Sequence, residues 1–373
     1  MTILDRYLLR QYAQVLLICF CSLVGLYAVI DALGHLDQFS SHAEETGSSV
    51  LGTIGRFYAF QSLGFFDRTS GILAMMAAMF TMAWLKRHNE LTALLAAGVS
   101  QLRVAMPLLA ASVAISFLAA ASREVVLPNI RSELLRTTKD LTGSAERPVG
   151  PPTYDAASDI LLGGDATVAE GRRLIRPFLL LPGGRVSAAE GTYLDADGNH
   201  PAGYLLVDVQ VGTFALAEPS ITIGEKVVLY SPRDTPWLGP EQLFFASNVE
   251  FDRLAAGPRW RHFASTGELI AHVQHPASNA QMASYVTLHG RLVRPLLDVS
   301  LVVIGLPLIL SRRGRSPFLA VGLAMALVAG FLLVALTCEF LGNSGWVAPS
   351  LAAWLPLFVF VPLAAANNEP LRR

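Results

Sequence analysis

Six long apolar runs alternate with polar segments along the chain, and each run is long enough to cross a lipid bilayer as a helix. A transmembrane helix needs about 20 predominantly apolar residues. A signal peptide is the alternative interpretation of the first run, but its apolar core is long and no A-x-A cleavage pattern follows it. We therefore predict an uncleaved first span. The six predicted spans are Tyr12–Leu33, Phe57–Leu85, Leu102–Ala121, Tyr285–Leu310, Phe318–Thr337 and Pro349–Ala366.

Between the third and fourth spans, short strand-like runs replace the long apolar ones. Residues 122–141 keep a helical period but carry too many charges for hydrocarbon, so we expect the third span to continue outside the membrane. Gly- and Pro-rich turns then separate short apolar runs, a pattern typical of an all-β sandwich or open jelly roll. The predicted strands are Ile160–Leu162, Leu174–Leu181, Tyr204–Gln210, Lys226–Tyr230 and Leu243–Phe251.

These patterns together predict the fold class and the domain boundaries. We expect an α-helical polytopic membrane protein with six transmembrane helices and an inserted periplasmic all-β jelly-roll-like domain. Residues 1–141 hold the first three predicted spans, residues 142–265 the β domain, and residues 266–373 a linker helix and the last three spans.

Two connecting segments have their own signals. A polar loop is predicted at His42–Ser49, after the first span. Ser265 or Thr266 is placed to cap the linker helix, which we predict at Glu268–His275.

The distribution of Lys and Arg in the short loops predicts the orientation of the spans. Cytoplasmic loops carry an excess of these residues. The short loops on one side hold only Arg56, so we predict a multi-pass protein of the cell inner membrane with both termini cytoplasmic and the β domain outside. The basic residues on the predicted cytoplasmic side are Arg6, Arg10, Lys86, Arg87, Arg103, Arg312, Arg313, Arg315, Arg372 and Arg373.

Composition agrees with this topology and excludes other classes. With 53% apolar and 15% charged residues, and a mean hydropathy of +0.46, the chain is too apolar for an ordinary soluble protein. A net charge of −1, without a basic patch interleaved with aromatics, argues against nucleic-acid binding. Cys19, Cys21 and Cys338 lie in or at the end of apolar runs and offer no disulfide framework, which favours a periplasm as the outer compartment.

The sequence contains no motif that predicts catalysis. It lacks the G-x-x-x-x-G-K-[ST] loop that cradles nucleotide phosphates, the G-x-G-x-x-G turn, the H-E-x-x-H zinc motif and the G-x-S-x-G nucleophile elbow. His262, His272 and His275 are interpreted as exposed residues of a linker, not as metal ligands. We predict a non-catalytic chain without a metal or cofactor of its own, so any ATP hydrolysis belongs to a partner.

A short amphipathic segment, Arg87–Ser100, lies between the second and third spans. Asn89 is a candidate N-cap, Glu90 would lie in the first turn, and Gly98 can end the helix. Three leucines share one face of it: Leu91, Leu94 and Leu95. Two interpretations are open, a helix of about residues 89–98 that docks on a soluble partner or a loop that only joins two spans.

Charged residues near the spans form a second group of candidates, because ionisable groups at membrane depth are costly and usually functional. Asp298 is the deepest of them, and an ion pair with Arg294, four residues earlier on the same helix face, is the favoured interpretation. Five arginines fall at or beyond the predicted outer interface, where they either anchor lipid headgroups or line a path for an anionic lipid. They are Arg123, Arg131, Arg136, Arg291 and Arg294.

Small residues recur at four-residue spacing in the fifth predicted span. Gly322, Ala326 and Gly330 form a ridge that permits close helix packing, either within the chain or between subunits. In the β domain, the apolar runs Phe178–Leu181, Leu205–Val209 and Leu243–Phe245 lack clean alternation. They predict either a lipid-carrying groove or two sheets that bury these residues against each other.

Four stretches resemble the LptF/LptG permease family. They are RHNELTALLAAGVS, RVSAAEGTYL, STGELIAHVQ and RLVRPLLDVSLVVIGLPLIL. The resemblance implies one half of a heterodimeric ABC transporter that extracts lipopolysaccharide, or a related anionic lipid, from the inner membrane. It also implies three partners: a second LptF/LptG-type permease subunit, an LptB-like ATPase dimer that binds the ATP and Mg²⁺, and an LptC- or LptA-like periplasmic jelly-roll protein that receives the lipid.

The resemblance assigns roles to residues of the amphipathic segment. Glu90 would dock on the ATPase together with Arg87, Leu91 and Leu94, while Gly98 and Ser100 would end the coupling helix. The first span departs from the LptG-type pattern, since Asp31 and Asp37 stand where lysines meet the lipid phosphates. The chain is therefore assigned to neither the F nor the G type.

Two other classes of protein remain as alternatives. A secondary transporter is expected to have internal repeats and paired broken helices, and the two halves flanking the β domain share no matching motifs. A membrane-anchored scaffold or sensor would use the β domain to bind a ligand. Co-purification of an ATPase separates the permease from both.

Overall fold

The structure is a computed structural model that describes residues 2–136, 146–149, 152–155, 158–181, 184–197, 200–210, 219–223, 226–274, 281–310 and 317–366. In the order of the chain, an antiparallel β domain separates two helical segments. The helical segments contain the predicted spans, and the β strands come from the Gly- and Pro-rich middle of the sequence.

Five helices form the first part of the chain. Phe39 and Ala43 are buried on one face of the second, where Phe39 packs against Tyr58. The loop predicted at His42–Ser49 is therefore wrong over most of its length, because this apolar pair stabilises a helix among polar residues. The five are α1 (Ile3–Gly34), α2 (Leu36–Thr46), α3 (Val50–Arg87), α4 (Glu90–Ala96) and α5 (Gln101–Ala121).

The third span continues beyond α5 as predicted, but not as a regular helix. A π turn at Ser122–Val126 follows α5 directly. Two short helices come next, α6 (Leu127–Asn129), with Pro128 in its first turn, and α7 (Arg131–Leu135). Proline lacks the N–H that would continue the hydrogen-bond ladder, which favours a break in this region.

Within the described residues of the β domain, eleven strands form one antiparallel sheet that folds around its own core. The main path runs β1-β4-β5-β7-β8-β11-β10-β9, while β2, β3 and β6 branch from β7. The longest strand, β7, pairs with β5, β6 and β8 and so joins the branches. The strands are β1 (Arg147–Pro148), β2 (Thr153–Asp155), β3 (Ile160–Gly163), β4 (Ala166–Val168), β5 (Arg173–Ile175), β6 (Phe178–Leu181), β7 (Gly184–Leu194), β8 (Gly203–Gln210), β9 (Ile221–Ile223), β10 (Lys226–Tyr230) and β11 (Gln242–Ala246).

Neighbouring residues of the apolar runs lie on opposite faces of the sheet. In β11 both faces are buried, since Leu243, Phe244 and Phe245 are all 0% exposed, whereas β6 and β8 bury one face more than the other. Leu179 and Leu206 are completely buried in the core, while Leu180 and Val207 are 38% and 37% exposed. Each run therefore places alternate residues on the two faces, and the inner side chains of the described strands pack against one another. This arrangement is the second of the two alternatives, in which the sheet buries these residues against itself.

Six α-helices follow the sheet in the part of the chain that the structure describes. The strand predicted at Leu243–Phe251 ends early, because Phe251 begins a helix and its ring enters the β-domain core. Ser265 caps the predicted linker helix through a capping box with Glu268. The helices are α8 (Phe251–Ala256), α9 (Trp260–Phe263), α10 (Thr266–Val273), α11 (Gln281–Leu310), α12 (Pro317–Asn343) and α13 (Pro349–Ala366).

Within the described residues, five helical segments are long and apolar enough to cross a membrane by length and composition. The predicted fourth span corresponds to α11, which has 30 residues and contacts α3, α5, α12 and α13. The expected count of six spans is therefore approximate. The five segments are Ile3–Gly34, Val50–Arg87, Gln101–Asn129, Gly322–Asn343 and Pro349–Ala366.

Candidate functional site

The amphipathic segment between the second and third spans forms a seven-residue helix, α4, with a defined start and end. Asn89 occupies the N-cap position at φ 59°, and its side chain makes no capping hydrogen bond. Gly98 ends the helix at φ +86°, a conformation that costs glycine little. The N–H groups of Gly98 and Val99 donate to the carbonyls of Leu95 and Leu94, the pattern of a Schellman motif.

Ser100 has a different role from the one that the resemblance implied. Its hydroxyl accepts a hydrogen bond from the Arg103 N–H at 3.3 Å and caps the start of α5. It therefore begins the third span and does not end the coupling helix. Only Val99 separates this cap from the Gly98 turn, so α4 is joined to the third span by a very short connection.

The leucine face of α4 packs on the spans. Leu91 is 6% exposed, and Leu94 and Leu95 are partly buried against the same helical core. Glu90 is half-buried and accepts a hydrogen bond from the Tyr7 hydroxyl of α1 at 2.8 Å. The exposed surface of the segment consists of other residues: Arg87, His88, Asn89, Thr92, Ala93, Ala96, Ala97, Gly98 and Ser100.

A second polar group lies at the end of the spans opposite α4, which we call the distal end. Arg123 of the π turn binds the Asp67 carboxylate of α3, with Nε and Nη2 at 3.0 and 2.7 Å from Oδ1. The two side chains are 6% and 8% exposed. Charge-assisted hydrogen bonds are strengthened by such low-dielectric surroundings. This pair therefore ties the third predicted span to the second.

Arg294 and Asp298 do not form the predicted ion pair. Arg294 instead donates to the backbone carbonyls of Asp67 and Arg68, at 2.6 and 2.8 Å. Asp298 is buried against Gly71, where an added Cβ would clash with its carboxylate. The two residues are four positions apart on α11, but Arg294 binds the α3 backbone and Asp298 packs against the same turn of α3.

Arg291 and Glu124 meet at the corner between α9 and α10. Arg291 donates to the carbonyls of Arg261 and Ala264 at 2.9 and 2.7 Å, and lies 3.5 Å from the Glu124 carboxylate. Glu124 accepts hydrogen bonds from the backbone N–H and the hydroxyl of Thr266. Together, Asp67, Arg123, Glu124, Arg291, Arg294 and Asp298 form what we call the distal junction.

The other two arginine candidates are also paired. Arg131 of α7 binds the carboxylates of Glu250, Asp252 and Glu268, and so connects the end of the third span to α8 and α10. Arg136 is partly exposed and pairs with Glu133 at 3.3 Å. All five predicted arginines therefore bind groups of this chain. The guanidiniums of four are largely buried, and that of Arg136 is exposed.

Sequence reasoning missed two cations beside the junction. Arg68 is exposed and Arg261 is half-buried, and neither side chain forms an ion pair or a hydrogen bond within the described part of the chain. Desolvation lowers the pKa of His262, and nearby positive charges lower it further. These charges belong to Arg68, Arg261, Arg291 and Arg294. The sequence alone does not show which arginines are paired inside the fold, so it could not distinguish Arg68 and Arg261 from their paired neighbours.

Two further sequence features have definite positions. Asp31 accepts a hydrogen bond from the Tyr58 hydroxyl at 2.7 Å and joins α1 to α3. Gly322, Ala326 and Gly330 are all exposed on α12, so their ridge faces away from the rest of the chain. Among the described residues, no three His, Cys, Asp or Glu side chains are grouped to hold a metal ion.

Comparison with known protein families gives a match over most of the chain. The family described as lipopolysaccharide export system permease LptF/LptG matches residues 6–152 and 250–366. These ranges include α4 and every residue of the distal junction, while the stretch RVSAAEGTYL of β7 lies outside them. No curated protein matches the sequence.

Proposed function

Because the chain belongs to the LptF/LptG family of lipopolysaccharide export system permeases, we propose that it is the transmembrane subunit of a transporter that extracts lipopolysaccharide, or a related anionic lipid, from the inner membrane. A separate LptB-like ATPase dimer binds ATP and Mg²⁺ and supplies the energy. The chain itself is non-catalytic, and both of its termini are cytoplasmic.

The observation that carries this proposal is the attachment of α4 to the spans. Its leucine face packs into the helical core, its first turn is bonded to α1 through Tyr7, and Val99 alone separates its terminal turn from the cap of α5. A helix held in this way moves with the spans when a partner displaces it. A simple connecting loop needs none of these contacts.

The exposed face of α4 defines the surface for the ATPase. Small side chains at Ala93 and Ala96 allow close approach, and Arg87 and Glu90 place charges at the beginning of the helix. Glu90 is only half-buried, so its second carboxylate oxygen remains available to an arginine of the partner. Leu91 and Leu94 position this surface and do not themselves form the contact.

A second LptF/LptG-type subunit completes the transporter. The ridge of Gly322, Ala326 and Gly330 supports this part of the proposal, because it is exposed on an apolar helix where lipid would otherwise cover it. Small residues at four-residue spacing let two transmembrane helices approach closely. Among the described residues, a Cβ added at Gly322 or at Gly330 would meet nothing within 4 Å, which supports packing between subunits over packing within the chain.

Arg68 and Arg261 are the groups that we assign to the anionic headgroup. Guanidinium groups bind phosphate oxygens well, and both of these cations are at least partly accessible and form no ion pair with a carboxylate of the described residues. Arg123, Arg131, Arg291 and Arg294 then hold the helices in place around the site. An LptC- or LptA-like protein would receive the lipid at an end of the sheet, such as β9, which pairs only with β10 among the described strands.

Affinity purification in mild detergent tests the assignment to a transporter. We expect the tagged chain to co-elute with an ATPase subunit and a second permease-type chain. Recovery of the intact chain without an ATPase would contradict the proposal and would favour a secondary transporter or a ligand-binding scaffold. A matched control uses Ala93→Arg, because a long charged side chain on the exposed face of α4 should remove the ATPase and leave the second permease bound.

A further inference from the structure

Two consecutive residues of the π turn bind elements on its opposite sides. Arg123 reaches inward to Asp67 of α3, with a side chain that is 6% exposed. Glu124 reaches the other way to Thr266, the first residue of α10. π-helical turns are rare and are found frequently at functional sites. One irregular turn therefore contacts both a long membrane helix and the corner that follows the β domain.

Glu124 completes the N-terminus of α10. The first N–H groups of any helix lack partners within the helix. In α10 the Ser265 hydroxyl accepts from the Glu268 N–H at 3.2 Å, and Glu124 accepts from the Thr266 N–H at 2.8 Å. The negative carboxylate also interacts favourably with the positive end of the helix dipole. The start of α10 thus depends on a side chain that belongs to the third span.

Arg291 places a positive charge at the C-terminus of α9, next to the start of α10. It donates to the carbonyls of Arg261 and Ala264, at the C-terminus of α9, where a cation is favoured. Its side chain is 8% exposed and is paired with Glu124. The α9–α10 corner is therefore held between a carboxylate of the π turn and a guanidinium of α11.

We propose that the π turn is a mechanical junction that couples α3 to the α9–α10 corner. Its input is the Asp67–Arg123 pair on α3, the helix whose other end is joined to α4. Its output is Glu124, which holds Thr266 and, with Arg291, the corner next to α8 and the β domain. Displacement of α3 then shifts the α9–α10 corner through Arg123 and Glu124 and not through a direct contact of the Asp67 side chain. The alternative is that the corner follows α11 alone, through Arg291.

Hydrogen–deuterium exchange of the full chain in lipid nanodiscs, in the assembly with which it purifies and without nucleotide, tests the junction. Glu124→Gln should raise the exchange rate of the Thr266 amide by about tenfold, because the amide oxygen of glutamine is a weaker acceptor than the charged carboxylate. Asp67→Asn and Arg123→Lys should each raise the same rate by about threefold or more, through the π turn. Asp195→Asn, an exposed change in the β domain, is the matched control and should leave that rate unaltered.

A reciprocal measurement guards against loss of folding in the Asp67 variant. Coupling between two sites is symmetric, so Glu124→Gln should also increase exchange in the α3 segment around Asp67. Protection of strand β8 reports an intact fold in each variant. An unchanged Thr266 amide in both Asp67→Asn and Arg123→Lys, or an unchanged α3 segment in Glu124→Gln, would overturn the proposal. These readouts require no transport, so they stand or fall separately from the assignment as a permease.

Discussion

The Tyr7 hydroxyl donates a hydrogen bond to the Glu90 carboxylate across 2.8 Å, although the two residues are far apart in sequence. It joins the first helix of the chain to the first turn of α4. The family resemblance assigned Glu90 to a partner, whereas the structure gives it an internal bond as well. The two roles can be separated because Tyr7 contributes only to the internal one.

We predict that Glu90→Lys abolishes ATPase association and ATP-driven transport while the chain stays folded. The lost dipole interaction is worth about 0.3–1 kcal/mol, too little to unfold the chain. Charge reversal would turn an attraction to an arginine of the partner into repulsion. Tyr7→Phe is the matched control, since it removes the internal bond and leaves the charge. Equal loss of association in both variants would show that Glu90 acts only through Tyr7.

A second prediction concerns the close approach of α3 and α11 at Gly71. Gly71→Ala should lower the stability of the assembly by about 1–3 kcal/mol, because the new Cβ would overlap the Asp298 carboxylate. Thermal unfolding, followed by the fluorescence of the tryptophans, measures the loss. Gly55→Ala is the control on the same helix, since a Cβ there meets nothing within 4 Å.

The contact between Gly71 and Asp298 can also be tested with a double variant. Gly71→Ala/Asp298→Ala should recover part of the stability that Gly71→Ala loses, because removal of the Asp298 carboxylate leaves room for the new Cβ. Strictly additive losses would mean that the two residues do not meet in the folded protein.

A third prediction places the helices in the membrane. In a variant without native cysteines, a cysteine at Asn89 should react with an impermeant maleimide only after the cells are opened, because the α4 side is predicted to be cytoplasmic. A cysteine at Ser48, at the end of α2, should react in cells with a permeabilised outer membrane alone. Both sites are exposed, so access to the reagent is set by the membrane and not by burial. The opposite labelling pattern would invert the topology.

A fourth prediction tests the exposed ridge of α12. Ala326→Phe should weaken association with the second permease subunit, because a large ring prevents close helix approach. Met325→Phe serves as the control, since Met325 is 68% exposed on a neighbouring face and already has a long side chain. The yield of the partner subunit after affinity purification distinguishes the two. Normal yield in Ala326→Phe would remove the ridge from the interface.

The sequence pattern was sufficient for the long apolar helices and for the class of the inserted domain, but not for short helices such as α2 and α8. Apolar runs of span length are stable in a bilayer as helices, which satisfy all of their backbone hydrogen bonds internally. Short apolar runs between turns indicate strands. Strand β7 escaped prediction because Ser187, Ala188 and Gly191 give it no apolar alternation, and only its pairing with β5, β6 and β8 explains it. Likewise, Leu174–Leu181 splits into β5 and β6 around Arg176, which adopts φ 46° before Pro177.

The candidate site was predicted less completely, for a physical reason. Helical spacing indicates which residues share a face, but it does not identify the helix opposite. Arg294 and Asp298 were therefore paired with each other when both bind α3, and Arg123 was assigned to lipid when it binds Asp67. That Arg68 and Arg261 form no ion pair within the described residues could be recognised only once their neighbours were known.

The most direct test of the proposed function is ATP-dependent release of lipopolysaccharide from proteoliposomes that contain the purified assembly. Lipid transferred to a soluble periplasmic jelly-roll acceptor is quantified with and without ATP. We predict transfer that requires ATP and falls to the background level in Glu90→Lys, while Tyr7→Phe retains most of it. Transfer that is independent of ATP, or an assembly that hydrolyses ATP and releases no lipid to the acceptor, would contradict the assignment.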